Sequence, residues 1–169
     1  MVRAMSSLSS TSLPNRSAST TVLGSSPPTN DFTLSETRPI ILFDGVCVLC
    51  NGAVNFVLHW DTKATFRIAA IQSAAGRRLS VRCGRDVDDL SSIVLVYESS
   101  HYTRSEAVLR IGEKLSRPIP FISLICHFLP LSIRDTVYDT IGRYRYNIFG
   151  KQEECRLMDT KYASRFIVE

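Results

Sequence analysis

The chain lacks the clustered ligands of a zinc module and the even cysteine set of a disulfide-stapled secreted domain. Its five cysteines comprise one CxxC pair and three isolated positions, and its three histidines are isolated as well. The pair is Cys47 and Cys50, and the isolated cysteines are Cys83, Cys126 and Cys155. A four-ligand zinc site needs a second pair of ligands, and a secreted framework shows paired cysteines throughout. The sequence therefore disfavours both classes, although the pair alone still matches a zinc half-site.

Long hydrophobic runs are also missing. The strongest run, residues 121–129, is bounded by Pro118, Pro120 and Pro130 and is too short to span a bilayer. Because short apolar runs usually belong to protein cores, we expect a buried helix here, with Cys126 as a packing residue. The alternative is a contact with a membrane surface or a partner protein through residues 121–131.

Negative charge is absent from the beginning of the chain, where no acidic residue precedes Asp31. The same segment is rich in serine and threonine, contains Arg3 and Arg16, and has no continuous apolar stretch of the kind that a secretory signal needs. This composition is typical of a transit peptide, and it favours the chloroplast over the mitochondrion. We therefore predict a transit peptide and disordered linker over residues 1–36, with a merely disordered tail as the remaining interpretation.

The overall composition favours one globular domain. A chain of 169 residues with 44% apolar content is long enough to bury a core. Its formal net charge of +4 does not by itself indicate nucleic acid. Arginine and tyrosine alternate at residues 143–146, but no basic stripe extends beyond them, so we interpret them as exposed arginines and partly buried tyrosines of a helix.

The CxxC pair follows an apolar run at residues 39–43 and the dipeptide Asp44-Gly45. If the run is a buried strand and the dipeptide turns the chain, Cys47 lies in the first turn of a helix and Cys50 lies one turn later on the same face. Unpaired N–H groups and the helix dipole stabilise a thiolate at that position. We therefore predict a redox pair in which Cys47 is the attacking nucleophile and Cys50 is the resolving thiol.

Asp44 is the third candidate site residue, and its role stays open at this point. As an N-cap it would organise the turn, yet its negative charge would oppose a thiolate on Cys47. A role as proton acceptor for Cys50 would require Asp44 to be partly buried.

The remaining pattern predicts a strand, a helix and a strand, then a β-hairpin and a helix. The CxxC helix runs to residue 60, and a strand is predicted at 65–70, a short helix at 75–79 and a strand at 93–97. A hairpin at Ser99-Ser100 leads to a capping box formed by Thr103 and Glu106, which opens a helix to Leu115. A further helix is predicted from Ser132.

Two dipeptides of this pattern have two interpretations each. The loop at Gln72-Ser73 either contacts a substrate or only forms a turn. At Arg104-Ser105, the serine either contacts a substrate or only supports the cap of its helix, and the arginine is either a solvated charge or a contact near the site.

The chain closely resembles the DCC family of thiol-disulfide oxidoreductases, also called DUF393. The matching blocks are FDGVCVLCN at 43–51, IQSAAG at 71–76, SIVLV at 92–96, YTRSEA at 102–107, RYRY at 143–146, FG at 149–150 and CRL at 155–157. The resemblance implies an α/β, thioredoxin-like fold with extra C-terminal helices over residues 37–157, followed by a tail at 158–169. It also implies a redox role for Asp44, Cys47 and Cys50.

Two departures from ordinary thioredoxins affect this expectation. The residues between the cysteines are Val48 and Leu49, which offer neither a proline to shape the turn nor a cation to stabilise the thiolate. Thioredoxins also place a cis-proline opposite the nucleophile to hold the substrate backbone, whereas Ser91-Ser92 stands in the corresponding place here. We therefore expect substrate binding to differ in detail.

The predicted function is protein thiol-disulfide exchange in an organelle. The partners would be a protein disulfide or dithiol and a separate electron donor, without metal, organic cofactor or nucleic acid. The main alternative is a non-enzymatic interaction module in which the pair acts as a redox sensor.

Overall fold

The strand and helix order of the chain is confirmed in a computed structural model, which describes residues 37–152 and 160–167. The predicted transit peptide and linker at residues 1–36, and Cys155 with its matching block at 155–157, lie outside the described residues. The described elements are β1 Ile40–Phe43, α1 Val48–Trp60, β2 Arg67–Ala70, α2 Ala74–Arg82, β3 Val94–Val96, β4 His101–Thr103, α3 Arg104–Lys114, α4 Ile119–His127, α5 Leu131–Phe149 and a 3-10 helix at Thr160–Arg165.

The described strands form one mixed sheet in the order β2-β1-β3-β4. β1 pairs with β2 in parallel, whereas the β1–β3 and β3–β4 pairs are antiparallel. Phe43 at the end of β1 lies opposite Ala70 at the end of β2. The segments that follow these two strands, which carry Asp44 and Gln72, therefore leave the sheet at the same edge. This architecture is consistent with the predicted thioredoxin-like arrangement.

β1 is apolar throughout because both of its faces are covered. Successive side chains of a strand point to opposite faces. Ile41 and Phe43 pack with residues of α1 and α3, whereas Ile40 and Leu42 pack with residues of α2. The apolar run thus fixes the strand between two helical layers, and the chain emerges from it directly at Asp44.

The helix predicted at residues 121–129 is present, but the prediction that it is buried is wrong. α4 is helical, but most of its large apolar side chains are exposed, Phe121 by 70%, and Phe128 just beyond it by 86%. The buried contact of α4 is Ser123, which packs on Gly112 of α3, where an added Cβ would lie 2.1 Å from the serine hydroxyl oxygen. The close contact between α4 and α3 depends on small side chains, so hydrophobicity alone did not predict which face of α4 is buried. Among the described helices, none combines the length and the apolar character that a membrane crossing requires.

The predicted capping box at the start of α3 is also wrong. Thr103 is the N-cap residue, but its side chain makes no capping hydrogen bond. Glu106 instead accepts a hydrogen bond from Arg110 Nε at 2.8 Å and pairs with Arg134 at 3.3 Å. The chain enters the helix through Arg104 with φ of 54°, which is not the path of a capping box. Two guanidinium groups thus bind the Glu106 carboxylate, which was predicted to accept a hydrogen bond from a backbone N–H at the start of the helix.

The last described segment packs against the outer edge of β2. Ile167 N donates to Ile68 O at 2.8 Å, and Phe166 and Ile167 are buried. Arg165 donates to the carbonyl of Phe66 and forms an ion pair with the buried carboxylate of Asp61. Residues for which the sequence carried no motif therefore extend the core.

Candidate active site

The two cysteines of the CxxC pair lie at the amino-terminal end of α1. Cys47 is the N-cap residue, one position before the helix rather than inside its first turn as predicted. Its Sγ accepts a hydrogen bond from the Cys50 backbone N–H at 3.4 Å. The turn before it is held by Asn51, whose side-chain amide donates to Gly45 O at 2.8 Å and to Cys47 O at 3.0 Å. A backbone N–H and the amino-terminal end of the α1 dipole therefore both face the Cys47 sulfur.

Burial separates the two sulfurs in a way that the sequence did not indicate. Cys47 is 0% exposed, whereas Cys50 is half-buried. The residues after α5 contribute to this burial: Lys151 pairs with Cys47 as an isolated β-bridge, and Gln152 N donates to Val46 O at 2.8 Å. Both cysteines are free thiols in this structure.

The electrostatic surroundings keep Cys50 protonated. Burial, followed by the hydrogen bond and the charge of Cys47, raises the pKa of Cys50 to about 12. The positive charge of Arg145 acts in the opposite direction, and the charge of Asp44 adds to the increase. These effects together favour the thiol form of Cys50 over its thiolate.

Asp44 is buried and accepts hydrogen bonds on both carboxylate oxygens. Oδ1 accepts from Val46 N at 3.1 Å and from Gln72 Nε2 at 2.8 Å. Oδ2 accepts from Arg145 at 3.2 Å and from the hydroxyl of Tyr146. Asp44 thus organises the turn through its hydrogen bond from Val46 N, but the N-cap residue of α1 is Cys47 and not Asp44.

Arg145 and Tyr146 are site residues that the sequence interpretation missed. Arg145 is buried, 6% exposed, instead of the exposed arginine that was predicted. Its guanidinium also stacks on the Tyr146 ring, with Cζ 4.6 Å from the ring centroid. Burial and the hydrogen bond to Asp44 raise the pKa of Tyr146, so its hydroxyl remains a donor. Helical spacing was the available signal, since Tyr138, Ile141 and Arg145 fall on one face of α5.

Gln72 contacts the site through Asp44. Its Oε1 accepts from Gly45 N at 3.1 Å while its Nε2 donates to the carboxylate of Asp44. Ser73 has the turn role that was the other interpretation of this loop, because its hydroxyl caps α2 by accepting from Gly76 N at 3.0 Å.

Arg104 and Ser105 join α3 to α5 away from the cysteine pair. Ser105 is buried and donates to the carboxylate of Asp135. Arg104 pairs with Asp139 at 3.6 Å, with both side chains about half exposed.

The segment in the place of the thioredoxin cis-proline is tied to α5. Arg145 donates to Leu90 O at 2.7 Å and to Ser91 O at 3.2 Å. Ile93 N donates to the Tyr138 hydroxyl at 2.9 Å. Three backbone polar groups of this segment are therefore already satisfied within the chain.

A small apolar cavity of about 140 Å³ opens beside Cys50. Its wall includes Phe43, Asp44, Leu49, Cys50, Ala53, Leu90, Ser92, Ile93, Val108, Tyr138, Ile141, Gly142 and Arg145. A larger groove of about 410 Å³ shares Ala53, Ile93 and Val108 with it and extends along α3 to α4.

Of the isolated cysteines, Cys83 and Cys126 lie in the described residues, and neither joins the pair. Cys83 is the C-cap residue of α2, and burial raises its pKa. Cys126 is on α4 and lines the larger groove. Within residues 37–152 and 160–167, no group of three or more His, Cys, Asp or Glu side chains is arranged to hold a metal ion.

Comparison with known proteins adds independent findings. The model of the DCC1-like thiol-disulfide oxidoreductase family matches residues 41–151. A chloroplastic DCC family protein of Arabidopsis thaliana is 44% identical over 129 residues, which cover 76% of this chain and 75% of that protein. The uncharacterized protein YuxK of Bacillus subtilis is 35% identical over 128 residues, covering 76% of this chain and 93% of YuxK. No solved structure gives a significant match.

Proposed function

This chain belongs to the DCC1-like thiol-disulfide oxidoreductase family, and we propose that it exchanges disulfides with other proteins through Cys47 and Cys50. The observation that carries the proposal is the hydrogen bond from Cys50 N to the Cys47 sulfur at the start of α1. This contact stabilises a thiolate on Cys47, while burial and Cys47 itself raise the pKa of Cys50 to about 12. The asymmetry supports Cys47 as the nucleophile and Cys50 as the resolving thiol.

The proposed reaction transfers two electrons in two steps. The Cys47 thiolate attacks one sulfur of a substrate disulfide, forming a mixed disulfide and releasing the other substrate sulfur, which takes up a proton. Cys50 then loses its proton and attacks the Cys47 sulfur, which closes the Cys47–Cys50 disulfide and releases the second substrate thiol. A separate dithiol donor restores the reduced pair by the reverse exchange.

The same contacts provide a reason for the second step to follow the first. In the reduced pair, burial first, and then the hydrogen bond and the charge of Cys47, hold the pKa of Cys50 high. A mixed disulfide at Cys47 carries no negative charge, so the two contributions of Cys47 disappear and Cys50 deprotonates more readily. We assign Asp44 a positioning role in this step, because its carboxylate holds Arg145, whose positive charge lowers the pKa of Cys50.

The full burial of Cys47 adds one requirement to the mechanism. A substrate sulfur reaches Cys47 only when the neighbouring residues move, among them Lys151 and Gln152, which pair with the Cys47 turn. We propose that this movement accompanies substrate binding.

Reduction of the insulin disulfides, measured together with trapping of mixed disulfides, tests the function. Cys47→Ser should abolish turnover, Cys50→Ser should accumulate a mixed disulfide on Cys47, and Cys83→Ser should behave as wild type because Cys83 lies at the far end of α2. Wild-type protein without turnover on any disulfide would contradict the enzyme and favour a redox sensor. A mixed disulfide found on Cys50 of Cys47→Ser protein would reverse the two roles and leave the exchange function in place.

The proposed location is the chloroplast, with the mitochondrion as the alternative. It is supported by the hydroxyl-rich, acid-free composition of the first thirty residues and by the similar Arabidopsis protein, whose name describes it as chloroplastic. Fusion of residues 1–36 to a fluorescent protein should direct the fusion to plastids. Mitochondrial fluorescence would support the alternative.

Contact with a membrane surface or a partner protein through residues 121–131 also stays a proposal. It is supported by the exposed apolar side chains of this segment, which include Phe121, Leu124 and Phe128. Apolar side chains exposed together, unlike single scattered ones, are typical of protein–protein or membrane contact sites.

A further inference from the structure

The cavity beside Cys50 has the size of a single side chain. Its volume is about 140 Å³. An engineered apolar cavity of roughly 150 Å³ accommodates one benzene molecule, so this space fits one aromatic ring or one branched aliphatic side chain. It is too small for a folded segment or a large cofactor.

The wall of the cavity has the chemistry of an apolar binding pocket with a reactive edge. Leu49, Ala53, Ile93, Val108 and Ile141 supply aliphatic surface, and Cys50 itself forms part of the wall. Val108 and Ile141 are about half exposed, so the pocket is reached from solvent. A side chain bound here therefore lies directly beside Cys50.

The backbone segment beside the cavity has few free hydrogen-bonding groups with which a substrate backbone could pair. Leu90 O and Ser91 O accept from Arg145, and Ile93 N donates to Tyr138. In thioredoxins this segment helps to hold an extended substrate, but here α5 already uses these groups. Recognition must therefore rely more on a side chain than on β-type pairing.

We propose that this cavity is a specificity pocket for one apolar side chain, such as Phe, Leu or Ile, adjacent to the reactive cysteine of a protein or peptide substrate. The inference rests on the proposed exchange function and names its substrate class. Glutathione disulfide, which is polar and charged and carries no such side chain, is a poor substrate on this basis.

Matched peptide disulfides test the pocket directly. The peptides differ only in the residue beside cysteine, Phe, Leu or Ser, and hydroxyethyl disulfide reports basal exchange without a side chain. The full chain should prefer Phe or Leu over Ser by about tenfold or more in kcat/KM, as one apolar group in a pocket commonly provides. Glutathione disulfide should react no faster than the Ser peptide.

Variants of the residues in the cavity wall distinguish a loss of side-chain preference from a general loss of disulfide exchange. Ala53→Leu adds bulk to the wall of the cavity and Val108→Asp adds a charge at an exposed position of it, so each should reduce the preference to about threefold or less. The preference is the ratio of the Phe to the Ser peptide within one variant, normalised to exchange of that variant with hydroxyethyl disulfide. Asn55→Leu is the control, because Asn55 is exposed on the same helix but is not part of the wall. It should keep the wild-type preference.

The outcomes distinguish this inference from the proposed function. Equal rates for all peptides, rapid exchange with glutathione disulfide, or an unchanged preference in both wall variants would overturn the pocket while leaving disulfide exchange intact. Absence of exchange with every probe would overturn the exchange function itself, and the pocket assignment with it.

Discussion

The carboxylate of Asp44 is paired with the guanidinium of Arg145 at 3.2 Å, across a sequence separation of 101 residues. Both side chains are buried, with 2% of the Asp44 side chain and 8% of the Arg145 side chain exposed. The pair joins the end of β1 to α5 immediately beside Cys50. It therefore connects the packing of the C-terminal helix to the charge around the CxxC pair.

Removing one partner of this pair should destabilise the fold strongly. Arg145→Met leaves the Asp44 carboxylate buried without its cation, a change that typically lowers the free energy of unfolding by about 3–5 kcal/mol. Urea denaturation measures the effect. Arg143→Met is the matched control, because Arg143 is exposed two residues earlier on α5. A double variant with Asp44→Asn should recover part of the loss, and equal stability of the two arginine variants would contradict a structural role for the pair.

The protonation of Cys50 should respond to the charge of Cys47. Cys47→Ser removes the negative sulfur that helps to raise the pKa of Cys50 to about 12, so that pKa should fall. The pH dependence of Cys50 alkylation reports it. Cys83→Ser should leave the Cys50 profile unchanged. A Cys50 pKa that stays at about 12 in the Cys47→Ser protein would mean that burial alone sets it.

Asp44→Asn should also lower the pKa of Cys50. The Asp44 charge raises the pKa of Cys50 and the Arg145 charge lowers it, so neutralising the carboxylate leaves the arginine unopposed. Alkylation in a Cys47→Ser background isolates Cys50 from its partner. Gln72→Ala serves as the comparison, since it removes a hydrogen bond to Asp44 without changing charge. A rise in the Cys50 pKa on Asp44→Asn would contradict the assigned electrostatics.

Gly76 and Gly52 should respond oppositely to an added methyl group. A Cβ on Gly76 would lie 2.0 Å from Ala70 O, so Gly76→Ala must displace α2 from β2 and should lower stability by about 1–3 kcal/mol. Gly52→Ala places its Cβ in open space on α1 and should raise stability by about 0.5–1 kcal/mol. Thermal or urea unfolding measures both. Equal effects at the two positions would contradict the close approach of α2 to β2.

Acid should weaken the anchoring of the C-terminal segment through Asp61. Burial alone would raise the pKa of Asp61, but hydrogen bonds from Phe66 N, Thr65 N and Arg165 lower it below the ordinary value of 3.8. Its contribution to stability is therefore fully present above pH 3.8 and is lost as the pH falls through the lower folded-state pKa. Unfolding of wild type and Asp61→Asn from pH 7 downward should show a stability difference that narrows only below about pH 4. A difference that narrows between pH 7 and pH 5 would contradict this assignment.

Local sequence patterns predicted where the strands and helices lie better than they predicted which residues pack against them. The apolar run before Asp44 and the helical spacing after Cys50 placed β1 and α1, because burial on both faces and helical periodicity leave direct traces in sequence. The capping box failed because Arg110 and Arg134 compete for the Glu106 carboxylate, and Arg134 lies on a distant helix. The prediction that α4 is buried failed because hydrophobicity does not reveal whether another part of the chain covers a helix.

The sequence by itself determined that a CxxC pair follows a buried strand and opens a helix, because these relationships join neighbouring residues. Tertiary structure alone decided that Cys47 is fully buried, that Cys50 lines an apolar cavity, and that Asp44 is held by Arg145 and Tyr146. These contacts bring together residues about a hundred positions apart. Their partners are selected by the packing of α5 on the site, which no local pattern encodes.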